Sequence, residues 1–475
     1  MDPKTFAFTN PILNGDYPDP AVCRVGADFY LTTSTGHQYP GLTIYHSRNL
    51  IDWEFAVNPL TDFSGDVWAP DLVFYKGRFY LYFCADGTNW VIYADDVRGP
   101  WSRAIDLKVG HIDPGHYGDA DGNRWLFLSG CFVVPLTPDG LAVAGEPHQV
   151  LVPRPIPDEW DIEGDYSESP KITEHGGWLY MTYADGGTSG PATSHMVVSA
   201  RARHPLGPWE FSPYFPILRT ENKDAHWRSR GHGHLVDDTA GNWWIVYHSY
   251  EKGYLCHGRK LLLERVIWTD DGWFHVDEHG NEEGNPVRPA GEGIASPLRL
   301  EDDFKTSSCG IWKAWGDREC VRYRTDAGGL VLEGLGKHPG ESRPLTMTCG
   351  YHSWHADTVV TPENGCEAGL ILFYDEGRFN GIGFDGERLT VYRLGHPLTS
   401  RRSRADKLYL RMRNHENDVA FYVSEDGREY KKINFVIDTE SQNNNAYGGF
   451  RALRPGLFAA KGGQAHFGFF RVTQD

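Results

Sequence analysis

Three acidic residues, a tryptophan and a histidine recur at matching places in this chain: Asp19 in DPA, Trp68 in WAP, Asp113 in DPG, Glu168 in ESP and His232 in HGH. One carboxylic acid and one carboxylate can cleave a glycosidic bond. The protonated group donates to the leaving oxygen, and the ionised group activates water or attacks the sugar. A third carboxylate nearby raises the acid's pKa by charge repulsion and orients it. A tryptophan beside them can pack on the apolar face of a sugar ring. Divalent-metal binding is the alternative use of three acids, but the local spacing of a calcium loop is missing. Taken singly, each residue reads as structural: Asp before Pro is a turn residue, Trp a core residue and Glu a solvated one. Taken together they do not, because gathering like charges in one buried place is costly. Such a set is a functional-site candidate.

A repeat gathers them. Short aromatic strands follow Gly-containing turns at GADFYLTTS (26–34), GRFYLYF (77–83), GNRWLFLS (122–129), GGWLYMTY (176–183) and GNWWIVYHS (241–249). With Tyr30, Tyr80, Trp125, Tyr180 and Trp244 as anchors, the intervals are 50, 45, 55 and 64, at or above the roughly 40–50 residues of a four-stranded propeller blade. Long amphipathic helical patterns are hard to find. The sequence predicts an all-β chain that opens with a five-bladed β-propeller. Counting back 12 residues from each anchor, or 11 in the first unit, lands on Asp19, Trp68, Asp113, Glu168 and His232. Equivalent strand ends in a propeller converge on one end of the central channel, so the five residues are expected to share a pocket.

Several stretches resemble glycoside hydrolase family 43: NPILNGDYPDPAVCRVGADFYL, VWAPDLVFYKGRFYLYF, HIDPGHYGDADGNRWLF, ESPKITEHGGWLYMTYADGG, RGHGHLVDDTAGNWWIVYHSY and GRKLLLERVIWTDDGW. They occur in the family's order over about residues 9–280. The resemblance implies a five-bladed propeller of inverting glycosidases that act on arabinose- and xylose-containing glycans. It makes Asp19 the general base, Asp113 the modulator of the acid's pKa and Glu168 the general acid. It makes Arg259, in GRK, a substrate contact and Trp68 a pocket aromatic. It implies no cofactor for the chemistry, but places a structural calcium at or near His232. An inverting enzyme keeps its acid and base carboxyls ~6.5–9.5 Å apart, with room for a water.

The family's acid motif usually reads EGP, and here it reads ESP. Glu163, in an IEG context five residues earlier, is a competing acid. The spacing to Tyr180 and the following KITEHGGWLYMTYADGG select Glu168, with Asp161, Glu163 and Asp165 in the same loop. The segment GGTSGPATSHMVVSARARHPLGPWE resembles the exo-acting pentosidases of the family, whose loops close one end of the channel. The expected activity is therefore release of terminal xylose or arabinofuranose, as β-xylosidase or α-L-arabinofuranosidase. An endo-arabinanase with an open groove and a non-catalytic carbohydrate-binding propeller are the alternatives. The presence of all three carboxylates favours the enzyme.

The formal net charge is −18, from 46 basic and 64 acidic residues. This disfavours nucleic acid, polyanionic substrates and anionic membrane surfaces as partners. The expected partner is an oligosaccharide or polysaccharide, and no membrane-spanning apolar run is present. Oligomeric state is not legible. The eight cysteines form no CxxC pair and read mostly as buried free thiols. Together with an N-terminus that carries no secretory signal, they point to the cytoplasm, or to secretion if a signal has been removed.

The expected organisation is a catalytic propeller over residues 9–282, a Gly/Pro/Glu-rich linker over 283–300 and a second domain over 301–475. Alternating apolar residues between Gly, Asn and Asp turns predict a β-sandwich for the last region. It resembles the concanavalin-like jelly roll that follows many family propellers.

Overall fold

The computed structural model describes residues 7–277, 285–294, 298–305, 310–320, 322–326, 328–403 and 405–475. The expected linker, 283–300, and Cys309 lie partly and wholly outside the described residues. Among these residues the regular secondary structure is almost entirely strand, with one α-helical turn at Asn444–Tyr447 and three short 3-10 turns. It divides into two compact units. The first holds residues up to Gly36, Pro40–Lys252 and Arg259–Leu298; the second holds His37–Tyr39, Gly253–Gly258 and Arg299–Asp475.

The first unit is the expected propeller: five antiparallel sheets in chain order, four of four strands and the fourth sheet with a fifth short strand. Their innermost strands are Ala21–Val25, Trp68–Tyr75, Gly115–Gly118, Ser167–His175 and Trp227–Asp237. Each pairs with the aromatic strand predicted next to it. The connecting turns Lys76–Gly77 and Gly176–Gly177 carry positive φ at both central residues, the type I′ geometry whose twist suits a hairpin.

The aromatics stack the blades together. One apolar core lies between each successive pair of blades. For example, Tyr80, Tyr82, Val91, Leu126, Leu128 and Val134 join the second blade to the third. The ring closes between fifth and first blades around Trp244, where Phe8, Ile12, Leu13 and Tyr17 fill the seam. The N-terminal segment also pairs with the fifth blade there: Leu13 bridges Leu261, and the Tyr17 N–H donates to Arg259 O at 2.8 Å. Closure therefore brings Asp19, two residues after Tyr17, beside Arg259.

The second unit is the expected β-sandwich, built from two eight-stranded antiparallel sheets. Trp315, Ile371, Phe373, Phe379, Tyr392 and Phe458 form one of its apolar clusters. It recruits two short segments from within the N-terminal region. Gln38–Tyr39 pairs with Lys313–Trp315, and the Leu453 N–H donates to Cys256 O at 2.8 Å.

Candidate active site

Each innermost strand of the propeller has a left-handed residue within it or two residues before it: Asp19, Ala69, Asp113, Ser169 and His232, with φ between 38° and 59°. Two residues later each strand takes up regular pairing, at Ala21↔Thr32, Asp71↔Tyr82, Gly115↔Phe127, Lys171↔Thr182 and His234↔Val246. These five are the true equivalents. The uniform count of 12 therefore runs one residue long in the second and fourth blades, where Trp68 and Glu168 precede the left-handed residue. In both, the pairing slips between Trp68 and Asp71 or between Glu168 and Lys171, a β-bulge that re-aims a side chain. A left-handed non-glycine residue costs about 1–3 kcal/mol and persists only where its surroundings over-determine it.

The His232 imidazole stands at the centre. Its Nδ1 lies 3.4 Å from Asp19 Oδ1, and its Nε2 lies 3.2 Å from Glu168 Oε1 and 3.7 Å from Asp113 Oδ2. Asp19 and Glu168 thus flank one imidazole ring, a spacing compatible with the ~6.5–9.5 Å of an inverting pair. Asp19, Asp113, His232 and Arg259 are buried, and Glu168 is partly open to solvent. Arg259 Nη1 donates to Asp19 Oδ1 at 2.8 Å, and Ser34 Oγ donates to Asp19 Oδ2 at 2.5 Å. The structure brings together five of the six residues chosen from the sequence. The sixth, Trp68, is 45 % exposed. Its successor Ala69 donates its N–H to Ser34 Oγ at 2.6 Å, which ties the Trp68 backbone to Asp19 through one hydroxyl.

The neighbours set different ionisation states. Burial pushes the Asp19 carboxyl up, but the Arg259 guanidinium and His232 outweigh it and hold Asp19 well below the usual carboxylate range. Burial pushes Asp113 up to about 7; His232 opposes the rise, while the charges of Glu168 and Asp19 add to it. His232 loses basicity to burial but gains more from Asp19, Glu168 and Asp113, so its pKa is raised. The channel therefore holds a committed anion at Asp19 and a cation-favouring ring beside a carboxyl that resists ionisation.

A further layer, unmarked in the sequence reading, fixes these groups. The backbone N–H of Asp19 donates to His248 Nδ1 at 2.9 Å, so His248 is neutral there, in line with burial lowering its pKa to about 3. Lys171 is buried and donates to Pro70 O, Asp71 Oδ1 and Pro114 O at 2.9–3.1 Å. One ammonium thereby joins the second, third and fourth blades just past their left-handed residues. A signal for part of this layer was present. Ser34, Cys84, Ser129 and His248 all stand four residues after their aromatic anchors. Each binds back to the start of an inner strand or to the loop leading into it: Ser34 and His248 to Asp19, Cys84 Sγ to Trp68 O, and Ser129 Oγ to the Ile112 N–H.

Glu163, the rival acid, is used structurally. Its Oε2 accepts the Ser189 N–H at 2.7 Å, and its own N–H donates to Ser194 Oγ at 2.7 Å.

The expected calcium can be tested against the donors. Among the described residues, the one group of His, Cys, Asp or Glu close enough to share an ion is Glu168, His195 and His232, with ligand atoms within 4.8 Å of one another. His195 is fully buried, neither ring nitrogen has a hydrogen-bond partner, and Gly231 leaves it room, since a Cβ there would lie 1.6 Å from His195 Cδ2. Calcium takes six to eight oxygen ligands, so this nitrogen-rich set does not suit it. Two imidazoles and a carboxylate suit an ion of the zinc type.

Residues 301–473 match the domain described as Beta xylosidase C-terminal Concanavalin A-like domain. The chain is 26 % identical to Xylosidase/arabinosidase 43B of Humicola insolens, over 95 % of this chain and 94 % of that protein. It is 31 % identical to the Non-reducing end alpha-L-arabinofuranosidase BoGH43B of Bacteroides ovatus, over 64 % of this chain. The match spans only about three fifths of several curated relatives: 60 % of that protein and 58 % of a Vibrio Xylan 1,3-beta-xylosidase. The crystal structure of the GH43 BlXynB protein from Bacillus licheniformis superposes with a TM-score of 0.88 at 26 % identity, covering 98 % of this chain and all of that one. Residues 8–274, more than half of the chain, match Glycosyl hydrolases family 43, and the chain belongs to that family.

Proposed function

We propose that this protein is an exo-acting, inverting glycosidase that releases terminal xylose or arabinofuranose from plant-polysaccharide-derived oligosaccharides. One observation carries the reading: Asp19 and Glu168 flank the His232 ring, with Asp19 held ionised by Arg259. Relatives named as xylosidases and arabinosidases, one of them acting at the non-reducing end, support the substrate class and the exo mode.

In this reading Asp19 accepts a proton from a water that attacks the anomeric carbon, while Glu168 protonates the leaving oxygen on the opposite face. Configuration inverts, and proton exchange with solvent restores both carboxyls. His232 sits between the two and stabilises negative charge on either. Asp113 holds the strand that carries Glu168 by accepting the Ser169 N–H at 3.0 Å. Arg259 contacts the substrate and keeps Asp19 ionised. Trp68 offers its exposed indole to the sugar. No step requires a cofactor.

The test is a panel of aryl xylosides, aryl arabinofuranosides and short oligosaccharides, with proton NMR of the first-formed sugar. Inverted product and loss of activity in Asp19→Ala and Glu168→Ala are expected. Retained configuration, or full activity in both variants, would sink the reading. Tight oligosaccharide binding without turnover would favour the binding-protein alternative.

A further inference from the structure

Residues 150–166 run from the third blade into the strand of Glu168 without regular secondary structure. Loops of this length inside a compact domain are usually functional. This one is pinned. Trp160 stacks on Phe215 with centroids 5.8 Å apart, and the Arg219 guanidinium sits 3.9 Å from the Trp160 ring centre. Glu163 clasps the facing loop at Ser189 and Ser194, as described. The Gly186 N–H donates to Tyr166 O at 3.0 Å, which extends the pairing of Ser167 with Asp185 back to Tyr166.

The Tyr166 side chain is 53 % exposed, yet it has a built seat. A Cβ on Gly187 would lie 2.9 Å from its ring, and one on Gly164 would lie 2.6 Å from it. Two glycines therefore keep the ring flat against the backbone. The residue after Gly187 is Thr188, whose hydroxyl is 3.4 Å from His248 Nε2, and His248 holds the Asp19 backbone. In extended chain, residues i and i+2 share a face, so Tyr166 lies on the face that carries Glu168. A leaving group must lie against the acid that protonates it.

We propose that Tyr166 is the stacking platform for the leaving-group sugar, with Glu163 the positioning residue that fixes its loop. This rests on the glycosidase reading above and adds to it a preference for leaving groups that present a ring. An amphipathic aromatic offers a sugar its apolar face at low conformational cost.

The experiment compares kcat/KM for a pentose disaccharide with that for the corresponding pentosyl fluoride, whose leaving group has no ring. Tyr166→Ala should lower the disaccharide-to-fluoride ratio roughly 3- to 10-fold, the range expected for one aromatic contact. Tyr166→Phe should restore it, and Glu163→Gln should lower it in the same sense, chiefly through KM. An unchanged ratio in Tyr166→Ala, with the wild type active on both substrates, overturns the platform and leaves the glycosidase reading standing. A wild type inactive on every pentoside overturns both.

Discussion

The backbone N–H of Ser169 donates to Asp113 Oδ2 at 3.0 Å, so a carboxylate of the third blade grips the residue that follows Glu168 in the fourth. The proposed acid is therefore aimed by a neighbouring blade and by its own bulge. Glu168→Gln should lower kcat for an oligosaccharide by about 10²–10⁴-fold, the usual size of general acid catalysis. The loss should be much smaller for a pentosyl fluoride, which needs no proton on departure. Asp19→Asn should abolish turnover of both substrates. Steady-state kinetics on the two substrates checks this; equal losses in Glu168→Gln would remove Glu168 as the acid.

Arg259 and Asp19 lead to a pH prediction. The guanidinium lies 2.8 Å from the carboxylate and is the strongest group holding its pKa down. Without it, burial pushes Asp19 up, and the base becomes protonated at higher pH. Arg259→Met should thus move the acidic limb of the kcat/KM profile to higher pH, besides lowering the maximum. A limb that stays in place would show that Asp19 is not the group titrating there.

Stability should depend on pH with a sign set by opposed groups. Burial raises Asp113 and Asp185 to about 7 and Glu264 to about 8. A carboxyl raised on folding contributes stability that is full below its unfolded pKa, near 4, and is lost as pH rises through the folded value. Asp19 and Asp71 are lowered, so their contribution is present above that pKa and disappears in acid. Asp185 accepts from Ser167 Oγ at 2.6 Å through one oxygen, while the other is buried with no hydrogen-bond partner. Asp185→Asn should flatten the fall of Tm between about pH 4 and about pH 7. Calorimetric curves that remain parallel would refute this.

The donors around His195 separate calcium from a softer ion. Zinc should inhibit the wild type by occupying Glu168 with His195 and His232, and EDTA should restore the full rate. Calcium should leave the rate unchanged. His195→Phe should reduce the sensitivity to zinc. Loss of activity on chelation of the purified enzyme would instead point to a resident metal.

The chain order alone carried a great deal. Five aromatic hairpins behind Gly turns specify five sheets, because strand pairing across a tight turn is local. The spacing from those hairpins pointed to Asp19, Trp68, Asp113, Glu168 and His232. Long-range closure decided the rest. The N-terminal segment seals the ring on the fifth blade and sets Asp19 against Arg259, two residues at opposite ends of the propeller sequence. Bulges displace Trp68 and Glu168 by one position from the strict repeat, and no count along the chain registers a bulge. Lys171 and His248 sit in strands, and His195 just before one, that read as ordinary blade sequence. They acquire roles only where blades converge, since burial and neighbouring charge, not residue type, determine whether an imidazole holds a backbone, carries a proton or stands free to bind an ion.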